Sequence, residues 1–105
     1  MAKNFVQSGM TMNVLLAVAV TSGDAIVVGN KVVVAAVDGK VGDEITMHTV
    51  GVWSLPKVVG AIEQGAPLYL TSNGEITLTN TDNTLAGYAF DAAGASDATV
   101  NVKID

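Results

Sequence analysis

Apolar and polar positions alternate most strictly at the C-terminal end of the chain. In Ala98-Thr99-Val100-Asn101-Val102-Lys103-Ile104, Val100, Val102 and Ile104 share one face, while Asn101 and Lys103 share the other. That is the period of a half-buried β-strand. Two further runs flank Ser72-Asn73-Gly74, and their register follows from the side chains. A two-residue Asn73-Gly74 turn would place Leu68 and Leu70 on the opposite face from Ile76 and Leu78. A three-residue loop with Gly74 in the left-handed conformation sets Leu70 against Ile76 and Leu68 against Leu78, so that all four share a face. The three-residue loop is therefore expected, with Thr77 and Thr79 on the other face. Thr84 to Phe90 reads as another strand, in which Gly87 marks a bulge or a close backbone approach. Glycine and polar clusters recur roughly every eight to twelve residues between runs of Val, Ile and Thr, the spacing of an all-β chain. The expected architecture is a small antiparallel barrel or sandwich.

Three stretches depart from this pattern. Ala25 to Val28 and Lys31 to Val37 flank a Gly29-Asn30 turn and do not alternate, as strands buried on both faces do not. Either a second subunit or the chain's own neighbouring strands must cover the outer face. Val32 and Val34 are accordingly subunit-interface or core positions. From Ser54 or Leu55 onward, Pro56 suits a first helical turn and Gly65 a stop, which predicts one short helix near residues 55–64. Val58, Val59 and Gly60 are poor helix formers, so packing would have to hold it. Residues 1–12 show no period and read as an extended arm or as an edge strand. No internal repeat and no linker are evident, and the chain is one domain, 1–105.

Composition narrows the chemistry. The 105 residues carry five lysines and no arginine against ten acidic residues, for a net charge of −5. Without arginine's bidentate fork, nucleic acid is not an expected partner. The absence of cysteine removes disulfides, thiol catalysis and thiolate metal sites. Val14 to Val20 is far shorter than the ~20 residues that cross a bilayer, so no membrane is expected either. His48 is the only histidine; it lies on the face of Glu44 and Thr46 and reads as a solvated strand residue. The carboxylates sit in loops, where aspartate closes turns on its own backbone. Gly39-Lys40-Val41-Gly42 lacks the hydroxyl residue that completes a phosphate loop. Trp53 reads as a core anchor or an interface hot spot, with Leu55 beside it. No catalytic residue, metal ligand or cofactor is expected.

Several segments occur in an order that is itself informative. They are Lys3-Asn4-Phe5-Val6-Gln7-Ser8-Gly9, Thr21-Ser22-Gly23-Asp24 and Val27-Val28-Gly29, then Gly51-Val52-Trp53-Ser54-Leu55-Pro56-Lys57 and Gly65-Ala66-Pro67-Leu68-Tyr69. Asn83 to Ala89 and Asp97 to Lys103 complete the set. Together they resemble the small capsid decoration, or cement, proteins of tailed phages and prophages. Ser8 and Ala66 depart from the pattern, standing where a proline and an aspartate are expected. The resemblance implies a structural virion protein, made in the bacterial host cytoplasm, that binds the outside of the assembled capsid and stabilises the head. It implies the major capsid protein as partner and, by analogy with trimeric head-stabilising proteins, a homotrimer. Lys3, Asn4, Phe5, Val6 and Gln7 are the expected capsid contacts. A phage-recombinase label, also attached to this family, conflicts with the missing phosphate loop and the short chain. The alternative function is a virion-surface module that recognises a host glycan or receptor.

Overall fold

Nine strands and no helix form among residues 9–104, the part of the chain described by the computed structural model. β1 (Thr11–Leu15), β2 (Ala25–Val28), β3 (Lys31–Ala35) and β4 (Glu44–His48) make one antiparallel sheet in the order β1-β4-β3-β2. β5 (Gly51–Pro56), β6 (Pro67–Leu70), β7 (Ile76–Thr77), β8 (Thr84–Ala89) and β9 (Thr99–Ile104) make the second, in the order β5-β9-β8-β6-β7. The second sheet curls until its two edges meet. Lys57, just past β5, bridges Ile76 of β7 in parallel, and the Val58 amide donates to the Ile76 carbonyl at 3.0 Å.

The core has two parts, and β3 stands between them. Val32 and Val34 face the second sheet and join Leu55, Leu68, Leu70, Ile76, Val100, Val102 and Ile104. Val33 and Ala35 face the other way and join Leu16, Val20, Ile45 and Met47. The missing alternation in Lys31–Ala35 therefore has an intramolecular cause: β3 is apolar on both sides because each side meets a core of this chain. Each large aliphatic side chain so enclosed contributes about 1.5–3 kcal/mol of burial.

The closing strand keeps its expected alternation, with Val100, Val102 and Ile104 buried. The hairpin register also agrees at its first pair. Leu70 opposes Ile76, the Thr71 amide donates to the Glu75 carbonyl, and Gly74 takes φ +81 in a three-residue loop. The second pair does not form. β7 stops at Thr77, which is buried, while Leu78 is half exposed and Leu68 pairs with Gly87 instead. Hydrogen bonds from the Thr79 amide to Thr77 Oγ1, and from Asn83 Nδ2 to the Thr79 carbonyl, bend the chain away from β6.

The helix expected near residues 55–64 is absent. Leu55 and Pro56 instead extend β5 and pair with Val100 and Thr99, and the amides of Lys57 and Ile62 bond to Ala98 and Ala93. Pro56 is tolerated because β5 is an edge strand at that end. With two β-branched residues and a glycine, 58–60 has little intrinsic helicity to set against those long-range bonds. Gly87 proves to be a close approach: a Cβ there would lie 1.9 Å from the Lys103 carbonyl oxygen. The pairing of β6 with β8 slips by one residue beside it, the bulge expected of that position.

One hydrogen-bond scaffold occurs twice, a repeat that the sequence does not display. Each half runs strand, bridge, turn, strand, and its sheet places the last strand next to the first. Val20 and Gly39 exchange two backbone bonds in the first half, as Ile62 and Ala93 do in the second. Gly23 donates to Ala35 and Ala35 to Asp24, matched by Gly65 to Ala89 and Ala89 to Ala66. Leu16 donates to Asp43 where Lys57 donates to Ala98. β1, β2, β3 and β4 thus correspond to β5, β6, β8 and β9. β7 has no counterpart.

Candidate interaction surfaces

The residues expected to carry contacts separate once the chain is folded. Val32 and Val34 are fully buried and Leu55 nearly so, within the core between the sheets. All three are core residues of this chain, with no surface left to offer a second one. Trp53 is partly buried against the same core, and its Nε1 donates to the Val50 carbonyl at 3.2 Å. Its ring meets that of His48, with centroids 4.6 Å apart and planes inclined by 31°. His48 does share a face with Glu44 and Thr46, but its ring is half-buried against Trp53 rather than solvated. Lys3, Asn4, Phe5, Val6 and Gln7 lie outside the described residues. Of the stretch read as an arm, Thr11 and Met12 are part of β1, paired with His48 and Met47.

Three aspartates hold turns. Asp24 accepts from the Thr21 amide, Asp43 from Lys40 and Asp97 from Gly94, at 2.7–2.9 Å, and each aspartate's own amide donates back across the turn. The equivalent turn in the second half ends in Ala66, and closes through the Ala66 amide and the Glu63 carbonyl alone. No group of three or more His, Cys, Asp or Glu side chains converges among the described residues. No described helix is long and apolar enough to cross a membrane.

Lys57 is 94% buried, with no ion pair among the described residues; its Nζ donates to the carbonyls of Val58 and Gly60 at 3.2 and 2.6 Å. These bonds shape the loop that carries Val59, the most exposed large hydrophobic described, at 93%. Loop conformation of this kind has no hydropathy signal.

An apolar groove of about 460 Å³ opens on one side of the first sheet. Its walls are the end of β1 with the residues after it (Val14 to Val18), β2, and the Leu70–Gly74 hairpin. Both flanking strands are edges of their sheet among the described residues. Val14, Ile26 and Val28 reach the core from here but stay only half-buried, and Leu15, Val18 and Val27 are exposed. Sequence reading placed Ala25 to Val28 in a strand and missed the groove. The only local hint was the lack of any polar residue in Ala25-Ile26-Val27-Val28.

The described surface combines apolar edges, turn-closing aspartates and an aromatic pair packed on the core. No curated protein and no solved structure matches this chain. A family model does, over residues 6–104, nearly the whole of the 105 residues and the whole of both sheets; its description is phage cement protein. The chain belongs to that family, whose members are structural proteins associated with phage capsids.

Proposed function

We propose that this protein binds the exterior of an assembled phage capsid and reinforces the head, as a homotrimer whose partner is the major capsid protein. The family match across both sheets carries this reading. The physical basis is linkage: a protein that binds the assembled shell more tightly than free subunits stabilises the shell by that difference. No reaction is needed, and the described residues offer no assembled nucleophile and base. The net charge of −5 and the absence of arginine suit an outer position, away from packaged DNA.

The test is co-sedimentation of the purified protein with DNA-free heads of the parent phage, alongside unassembled coat subunits. Binding to heads alone, with head disruption shifted several degrees higher on heating, is the expected result. Failure to bind heads, or binding that leaves their disruption temperature unchanged, would overturn the proposal.

A further inference from the structure

The two halves differ at one place, and that place is the groove. In the second half β7 lies against β6 and bridges Lys57 just past β5, closing the sheet. The corresponding elements of the first half are β2 and Leu16, just past β1. Both line the groove, and no described strand lies between them. The molecule thus contains its own picture of the filled site. There the occupying strand runs antiparallel to β6, parallel to the end of β5, and sinks Ile76 completely into the core.

That picture sets the occupant's chemistry and direction. It is an extended segment with an apolar residue opposite Val28, the counterpart of Leu70, running antiparallel to β2 and parallel to β1. Only Gly9 and Met10 separate residue 8 from β1, a link too short for the crossover that adjacent parallel strands of one chain require. Residues 2–8 of a second copy are free of that constraint. They lie two residues before β1, hold the adjacent pair Phe5-Val6, and contain no proline. Both side chains of that pair favour extended backbone.

We propose that residues 2–8 of one copy add as a strand to the β1–β2 groove of the next, with Phe5 or Val6 in the place that Ile76 holds in the second half. Such an exchange is heterologous, and it closes into a ring when the rotation between copies allows. The inference deepens the trimer reading by naming what joins the copies, and it assigns Phe5 and Val6 to a neighbouring copy rather than to the coat.

The absence of cysteine makes the test clean. Val28→Cys is combined with Phe5→Cys in one variant and with Val6→Cys in another, and each is oxidised at micromolar concentration. Disulfide-linked oligomers on a non-reducing gel are expected from at least one of them. Crosslinks only within a chain, or none in either variant, would overturn the proposal. Sedimentation equilibrium gives a second readout. Full-length protein is expected at three times the monomer mass, and both the deletion of residues 2–8 and Val27→Asp at the monomer mass. Val27 is exposed, so Val27→Asp is expected to keep its β-type circular dichroism. An oligomer that survives both changes would overturn this inference and leave the trimer reading standing, whereas a full-length monomer would overturn both.

Discussion

The first sheet and the second share a strand order and a set of backbone bonds, yet among the described residues a further strand closes only the second. In the second, β7 joins the two edges and the core beneath is sealed; in the first, Val14, Ile26 and Val28 remain half-buried at a gap. The equivalent positions Leu16 and Lys57 show the same contrast. Leu16 packs into the first core, while Lys57, buried to a similar degree, directs its ammonium to two loop carbonyls. The shared scaffold needs an enclosed side chain at this position but not an apolar one. Backbone bonding therefore defines the repeated unit, and side chains specialise each copy, one for closure and one for an exposed edge.

Gly87→Ala tests how far the equivalence extends. The matching strand position of the first sheet holds Val33, but at Gly87 a methyl group would collide with the Lys103 carbonyl. We expect a loss of at least about 4 kcal/mol, or no folded protein, in urea denaturation. A loss below about 1 kcal/mol would mean that β8 and β9 can separate without cost.

Ile76→Ala attacks the closure itself. Removal of this fully buried side chain is expected to cost about 3 kcal/mol. It should also raise hydrogen exchange at the Thr71 and Val58 amides, which bond to Glu75 and Ile76, toward the rates of β2. Unchanged exchange there would show that β7 does not seal the second half.

The smallest effect is expected at the turns. Asp24→Ala removes the carboxylate that accepts from Thr21, a bond worth about 1 kcal/mol. Its counterpart Ala66 shows that the turn closes without one. A melting temperature lowered by a few degrees with an unchanged fold fits the comparison; loss of the fold would break it.

Hydropathy alone was enough to define the class of fold, the closing strand, the two hairpin loops and the tight spot at Gly87. Each depends on side-chain period or on backbone geometry within a few residues. The resemblance read from ordered segments reached the family for a similar reason, since those segments are largely turns and strand ends that the scaffold reuses. Tertiary structure decided the rest. Pro56 and the residues after it carry a local helix signal, and long-range bonds to Ala98, Ile76 and Ala93 override it. The doubly apolar β3 was open to either a partner or the chain's own core, and only the packing of two cores against it resolved that choice. The repeat was invisible because it consists of backbone hydrogen bonds, which unlike residues can make equally well: Leu16 answers to Lys57, Asp24 to Ala66 and Val33 to Gly87. The groove was invisible for the complementary reason. An open edge is a missing neighbour, and hydropathy marks which face of a strand is apolar but not whether the chain supplies the strand beside it.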